Sequence, residues 1–338
     1  MTAKTIEISR ARSDAAPADR SLPNGDAIPS SQARRIGVVG IGQMGEAFAR
    51  NLLSDGHRVW VFDRDPLRAA TLRAEGAEAA EGLSDLRDCD FVVTSLPDDS
   101  ALHAVALDQG GLVEVMSPGA VHISMSTVSP DMSRRLADAH FARAQEYVAA
   151  PVLGNPDLAR GRKLFVLAAG HPNALSAAKP LLERLGQRLF IISDDAPAAN
   201  LMKLAGNVLT ATTLESMGEV LALVRKGGID QQVAFDVLTN SLFDAKVHKT
   251  YGGKILHEHY RPAGMAVPLA VKDLRLALAA AEHGQVPMPS ASLVHDRLVG
   301  VMARGWSDLD WSALGLLAAC DAGLESRFLV PGNDVSNV

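Results

Sequence analysis

Lys203 and Asn207 stand four residues apart in a stretch whose intervening and preceding residues include Leu201, Met202, Leu204 and Ala205. On a helix this spacing puts both polar side chains on one face, able to meet the same small molecule. An ordinary helical lysine is solvated and snorkels to water. A lysine crowded by apolar neighbours instead loses proton affinity, from about 10.4 in water toward the range where it exchanges a proton near neutral pH. Such a lysine is a candidate general acid and base. A second set of residues offers anion chemistry. Gly40-Ile41-Gly42-Gln43-Met44-Gly45 follows the apolar run Ile36 to Val39 and precedes the helix-like stretch Glu46 to Leu53. In a strand-to-helix turn the first glycine supplies a backbone conformation closed to other residues. The second admits a pyrophosphate close to the main chain, the third lets helix and strand pack, and the helix N-terminus attracts negative charge. The next strand, Arg58 to Phe62, ends at Asp63, about the distance downstream expected of a carboxylate that takes a ribose 2'-hydroxyl. A bland glycine turn would need neither the flanking elements nor the acid, so the pattern reads as dinucleotide binding. Asp63 accepts from the free hydroxyl of NAD and repels a 2'-phosphate, whereas the adjacent Arg64 welcomes the phosphate of NADP. The strand-terminal place belongs to Asp63, which favours NAD.

The elements that must hold these residues alternate up to about Ser193. Strand patterns run over Ile36 to Gly40, Val59 to Phe62, Phe91 to Leu96, Val121 to Met125, Glu146 to Val152, Leu164 to Ala168 and Arg188 to Ile192. Helical segments such as Pro130 to Arg143 and Pro172 to Leu185 lie between them. That order predicts an α/β fold with a mostly parallel, doubly wound sheet of Rossmann type over residues 35–193. Such sheets bind ligands at the carboxyl ends of their strands. Leu96-Pro97, Ser124 to Thr127 and Ala150 to Asn155 are therefore further candidate site segments.

After Ser193 only helices are expected, forming an all-α unit over 194–328. Asp194 or Asp195 can cap the first helix, Pro197 suits its opening turn, and Arg225-Lys226 before Gly227-Gly228 marks its end. Its apolar residues, Leu201, Leu204, Val208, Leu209, Leu214, Met217, Val220, Leu221 and Val224 among them, cover most of the circumference. That pattern predicts a long helix buried between two packed bodies. Further helices are expected near Gln231 to Asn240, Leu269 to His283, Ser290 to Arg304 and Ser312 to Gly323. Residues 1–34 are rich in Ala, Ser, Asp and Pro and read as a disordered tail, and 329–338 as a second tail.

With 338 residues, 47% of them hydrophobic, the chain can bury one large core or two ordinary ones. Its formal net charge of -6 provides no basic face for a nucleic acid. No apolar run has the length of a signal core or a membrane span, and the acids Glu7, Asp14, Asp19 and Asp26 argue against a transit peptide. Cys89 and Cys320 are far apart and form no CxxC pair, so a reducing cytoplasm is the simplest context. His257-Glu258-His259 lacks metalloprotease spacing and reads as a solvated helix end, and no GxSxG elbow occurs. Trp306 and Trp311, around Asp308 and Asp310, read as anchors of a loop against the helical part.

From about Arg35 to Leu324 the chain resembles the β-hydroxyacid dehydrogenases. The motifs that carry the likeness occur in order: the glycine turn at Gly40 to Gly45, Ser126-Thr127, Ala150-Pro151-Val152, Lys203 to Asn207, and Val271-Lys272-Asp273-Leu274. The resemblance implies a Rossmann-type domain joined by a long helix to a helical domain, in a homodimer or homotetramer. It implies Lys203 as the catalytic lysine and Asn207 as a substrate-orienting residue. Ser126 and Thr127 would contact both nicotinamide ribose and substrate acid, and Lys272 would close over cofactor and substrate; a plain salt bridge with Asp273 is its competing reading. Two residues depart from the pattern. Where relatives of small hydroxyacids often carry Ser-Gly-Gly, this chain reads Leu153-Gly154-Asn155, which removes one hydrogen-bond donor and makes the pocket more apolar, leaving the amides of Gly154 and Asn155. Ser124 stands where an acid often precedes the Ser-Thr pair, a local change of hydrogen bonding. The implied activity interconverts a β-hydroxyacid with its semialdehyde or oxo acid. An imine reductase and a non-catalytic nucleotide-binding assembly module are the alternatives; Lys203 speaks for carbonyl chemistry and Leu153 keeps the imine reading open.

Overall fold

The computed structural model describes residues 33–329, so the two predicted tails lie almost wholly outside the described residues. The chain runs β1 (Arg35–Val39), α1 (Gln43–Ser54), β2 (Arg58–Phe62), α2 (Pro66–Ala74), β3 (Glu78–Ala79), β4 (Phe91–Thr94), α3 (Asp99–Ala106), α4 (Leu112–Val115) and β5 (Val121–Ser124). It continues through α5 (Pro130–Phe141), β6 (Glu146–Ala149), β7 (Val152–Leu153), α6 (Pro156–Arg160), β8 (Leu164–Gly170), α7 (Pro172–Leu185) and β9 (Gly186–Ser193). Helices follow: α8 (Pro197–Lys226), α9 (Gln231–Thr239), α10 (Lys246–His257), α11 (Val267–His283), α12 (Pro289–Ala303) and α13 (Leu314–Asp321).

The strands form one sheet in the order β3-β2-β1-β4-β5-β6-β8-β7, with β9 beside β8. β1 to β6 pair in parallel, whereas β8 runs antiparallel to β6 and β7 and parallel to β9. One apolar layer holds Phe48, Leu52, Leu72 and Leu182 from α1, α2 and α7. The other holds Leu102, Leu112 and Leu136 from α3, α4 and α5, with Ala199 from the start of α8. Helices on both faces of a mainly parallel sheet make this the doubly wound class that the alternating pattern predicts.

One expected strand is broken. Instead of one run from Glu146 to Val152, β6 and β7 pair successive parts of one edge of β8, with Ala149 opposite Ala169 and Leu153 opposite Phe165. The break falls at Ala150-Pro151. The amide of Ala150 donates to Ser124 O at 2.7 Å, and Pro151, having no N–H, only accepts, from Leu167 N at 2.9 Å.

Inside the second layer a chain of hydrogen bonds fixes its own proton order. Gln145 Nε2 donates to the carbonyls of Val113 and Met116, so its Oε1 must accept from His140 Nδ1, 2.7 Å away. Both imidazoles are neutral, since burial pushes His140 down to about 4 and His122 well below its usual range. His140 Nε2 then accepts from His122 Nδ1 at 2.8 Å, and His122 Nε2 accepts from Thr94 Oγ1 at 3.0 Å.

In the helical part α8 packs against α10, α11, α12 and α13. At the α8–α13 crossing a Cβ on Gly218 would lie 2.7 Å from Gly315 Cα, so only glycine permits this approach. Asp310, fully buried, accepts from Lys254 Nζ at 2.7 Å, Gly264 N at 2.9 Å and Ser312 Oγ at 2.6 Å, and so ties the loop before α11 to the helical core beside buried Trp311.

Three expectations need correction. α8 is not buried all round: Leu201, Leu209, Val220 and Leu223 are exposed, because the helices of this chain cover only one side of it. Neither Asp194 nor Asp195 caps α8. The N-cap is Ala196, already in helical conformation, and Asp195 contributes only its carbonyl, to Ala198 N at 3.1 Å. Finally, α10 was not anticipated, since Gly252-Gly253 and its many polar residues mask the helical period. A Cβ on Gly252 would lie 2.7 Å from Met217 Cε, so that glycine serves close packing against α8.

Candidate active site

The glycine turn has the shape its spacing predicts. Gly40 has φ +89°, and a Cβ there would lie 2.4 Å from Ser95 O; a Cβ on Gly45 would lie 1.8 Å from Gly40 O. Gly42 faces open space, its nearest neighbour being Arg68 Nη1 at 3.8 Å from the place of a Cβ. It is also the N-cap of α1 and has no side chain to occupy the amides of the first turn, among them Gln43, Met44 and Gly45. An uncapped helix N-terminus with free approach to its backbone fits a pyrophosphate.

At the end of β2, Asp63 Oδ2 accepts from Ile41 N at 2.7 Å and Oδ1 from Asp65 N at 2.9 Å. Its carboxylate therefore stitches the glycine turn to β2 and still has lone pairs for a ribose hydroxyl. Arg64 is exposed and, with Asp63, Phe62, Arg73 and Ala80, lines an open cavity of about 550 Å³. Arg68, which the sequence reading missed, reaches between Gly42 and Asp63, with Nη1 4.0 Å from Asp63 Oδ2. Its only sequence signal is its place in the first turn of the helix after the strand-terminal acid.

Lys203 and Asn207 share one face of α8, as the i, i+4 spacing requires. Lys203 is only 8% exposed, and its Nζ donates to Asn207 Oδ1 at 3.0 Å. Asn207 Nδ2 donates in turn to the buried carboxylate of Asp273 on α11, which fixes which way the amide points. Burial pushes the Lys203 ammonium down to about 8; the negative charge of Asp273 holds it up against that loss, and the positive charge of Lys272 adds to it. Asp273 is a residue the sequence reading weighed only as a salt-bridge partner.

Lys272 joins the helical part to the sheet. Its Nζ donates to Pro97 O at 2.9 Å and to Thr127 O at 2.5 Å, and lies 2.9 Å from Asp273 Oδ1. The competing salt-bridge reading and the bridging geometry thus coexist. The two loops it grips are themselves joined, because Ser126 Oγ accepts from Leu96 N at 2.8 Å. Asn200, fully buried one turn before Lys203, donates to Ser126 O at 3.4 Å; it too was missed, although its i−3 spacing from Lys203 is visible in the sequence. Ser124 ends β5 with a buried hydroxyl.

The segment after Pro151 borders the same helix. Leu153 is half-buried and rests on Gly206: a Cβ on Gly206 would lie 3.0 Å from Leu153 Cδ2. Gly154, at φ +146°, is exposed, and Asn155 turns its Oδ1 inward to accept from Leu158 N at 3.0 Å as the N-cap of α6. Its side-chain oxygen is thus committed to the backbone, so a substrate acid would be met by the N–H donors of this residue.

Comparison with known proteins agrees with this geometry. Residues 35–193 match the NAD binding domain of 6-phosphogluconate dehydrogenase, and residues 197–317 match the NAD-binding domain of NADP-dependent 3-hydroxyisobutyrate dehydrogenase. An uncharacterized oxidoreductase of Bacillus subtilis is 36% identical over 83% of this chain and 98% of its own. Glyoxylate/succinic semialdehyde reductase 1 of Arabidopsis thaliana is 30% identical over 82% of this chain and 96% of its own. Among solved structures, 3-hydroxyisobutyrate dehydrogenase of Salmonella typhimurium superposes with a TM-score of 0.76 at 28% identity, covering 84% of this chain and 99% of that one. An imine reductase from Pseudomonas sp. covers 84% of this chain and 98% of its own at a TM-score of 0.56 and 23% identity, a likeness of fold alone. With its dinucleotide turn, its buried lysine and relatives of this identity over nearly their whole length, the chain is an NAD(P)-dependent oxidoreductase that belongs to the β-hydroxyacid dehydrogenase family.

Proposed function

We propose that this protein interconverts a hydroxyacid and its semialdehyde or oxo acid, with Lys203 as general acid in reduction and general base in oxidation. The observation that carries this reading is the buried Lys203–Asn207–Asp273 chain, which holds an ammonium near pH 8. The nicotinamide cofactor, when bound, supplies or takes the hydride. In reduction the carbonyl carbon gains that hydride while its oxygen takes a proton from Lys203 Nζ; in oxidation the free amine removes the hydroxyl proton. Asn207 accepts one N–H of Lys203 and so aims the others, and Asp273 keeps the ammonium protonated close to neutrality. Ser126, Thr127, Gly154, Asn155 and Leu153 are the proposed substrate contacts. Gly40, Gly42, Gln43, Met44, Gly45, Asp63, Arg64, Leu96 and Pro97 form the proposed cofactor groove. Lys272 holds the loops of Pro97 and Thr127 together across it.

NAD is the favoured cofactor, since Asp63 occupies the strand end and Arg64 lies outside it. The same reading assigns residues 35–193 to cofactor binding and 194–328 to substrate binding and assembly, in a cytoplasmic homodimer or homotetramer with no nucleic-acid or membrane partner. Among the described residues no helix is long and apolar enough to cross a membrane. An imine reductase draws support from Leu153, and a non-catalytic assembly role is disfavoured by the retained Lys203. One assay separates all three: NADH and NADPH oxidation against oxo acids, semialdehydes and cyclic imines, with wild type and Lys203→Met. Turnover of oxo compounds that drops by about 100-fold to 10,000-fold in Lys203→Met, with higher kcat/KM for NADH, is the expected outcome. Turnover of imines alone, or cofactor binding without turnover, would hand the assignment to one of the rivals.

A further inference from the structure

Leu153 seated on Gly206 makes the wall beside Lys203 and Asn207 apolar, and we infer that this site selects carbonyl compounds whose neighbouring substituent is uncharged and apolar, branched alkyl or aryl, over compact carboxylates. The inference rests on the carbonyl-reduction reading and concerns only the substituent of the carbonyl compound that meets Leu153. Gly206 lies between Lys203 and Asn207 in sequence, and on the helix it projects to the flank of the face they share. The side chain that fills the space left by its missing Cβ is Leu153, close enough that its Cδ2 would be 3.0 Å from that Cβ. The apolar wall extends outward from there. Leu153 is paired directly with Phe165, so both side chains rise from the same face of the sheet, and Phe165 meets Phe190 with ring centroids 6.3 Å apart. All three are half-buried; Arg188 lies 4.7 Å over the Phe190 ring and Lys246 6.0 Å from that of Phe165, so the stretch of this wall without a cation is Leu153 itself.

Leu153 brings no donor to this wall, and two lysines of the helical part are engaged elsewhere. Lys272 Nζ donates to Pro97 O at 2.9 Å and to Thr127 O at 2.5 Å, and is ion-paired with Asp273 at 2.9 Å. Lys254 is paired with buried Asp310 at 2.7 Å. Placing a carboxylate against Leu153 would strip its hydration without a replacement donor from that side chain, whereas an alkyl or aryl group gains apolar contact there. The reaction is unchanged: the C=O π bond breaks, carbon takes hydride from NAD(P)H, and oxygen takes the proton of Lys203, giving an alcohol and NAD(P)⁺.

The test uses pairs of aldehydes alike in shape, in which a carboxylate is exchanged for an isopropyl group: glyoxylate against 2-methylpropanal, and succinic semialdehyde against 4-methylpentanal. kcat/KM is measured for wild type, Leu153→Ser and Leu153→Val, with NADPH or NADH fluorescence titration reporting that each variant is folded. Wild type should favour the isopropyl member of at least one pair by about tenfold or more, Leu153→Val should keep that preference, and Leu153→Ser should shift the ratio toward the carboxylate by about tenfold. A wild-type preference for the carboxylate in both pairs overturns the inference while leaving the reductase reading intact, as does a ratio unmoved in Leu153→Ser. Absence of turnover for every aldehyde, with cofactor still bound, overturns the reductase reading and the inference with it.

Discussion

A lysine that shuttles protons must be dry enough to release one and close enough to a negative charge to keep one. Lys203 meets both demands through two different elements, its burial coming from α8 and its compensating charge from Asp273 on α11. The balance can be shifted from the α11 side. Replacing Asp273 by Asn removes the charge that raises the Lys203 pKa, so the pKa falls below about 8. Oxidation requires the free amine, so its rate rises with pH through the Lys203 pKa, and reduction requires the ammonium, so its rate falls over the same interval. In Asp273→Asn both profiles should move to lower pH; an unmoved profile with a merely reduced rate would reduce Asp273 to a structural support.

At the scale of elements, β5, α5 and β6 enclose the buried histidine relay, and its electrostatics set an acid limit for the sheet. His140 is held at about 4 and His122 well below the 6.5 of an exposed imidazole, because burial disfavours the imidazolium. The unfolded chain therefore binds protons that the folded one refuses. The stability contributed by the neutral pair is fully present above pH 6.5 and is lost as pH falls from 6.5 toward about 4. Urea unfolding at pH 7.5, 6 and 5 should show a falling free energy, with a shallower slope for His140→Gln. Equal slopes for the two proteins would show that carboxylates alone govern the acid transition. The relay was invisible in the sequence because His122, His140 and Gln145 follow no motif; only the β5–β6 pairing and the turn after α5 bring them together.

For the whole molecule, the uncovered side of α8 and its neighbours carries a large apolar surface, with Leu209 69%, Leu223 71% and Val237 63% exposed. Surfaces of this kind on a chain with an ordinary core mark an interaction site. Its spread along a 30-residue helix, from Leu201 to Leu223, suits a second copy of the chain packing on the same face. Light scattering should give at least a dimer for wild type and a smaller species for the double variant Leu209→Glu, Leu223→Glu. A monomeric wild type would rule the assembly out.

The sequence by itself determined everything that repeats at short range. The glycine turn, the strand-terminal Asp63, the alternation that makes a doubly wound sheet and the i, i+4 partnership of Lys203 with Asn207 are all written in spacings of a few residues, where backbone geometry leaves little choice. Tertiary structure alone decided what required distant segments to meet. Asp273 reaches Asn207 across 66 positions and Lys272 reaches Pro97 across 175, while Leu153 finds Gly206 only because Pro151 splits the strand before it. The apolar pattern of α8 could say that the helix prefers to be covered on nearly every side, since hydrophobic burial is non-directional. Which side this chain covers was set by the glycine-permitted approach of α10 and α13, and that packing left the opposite face open.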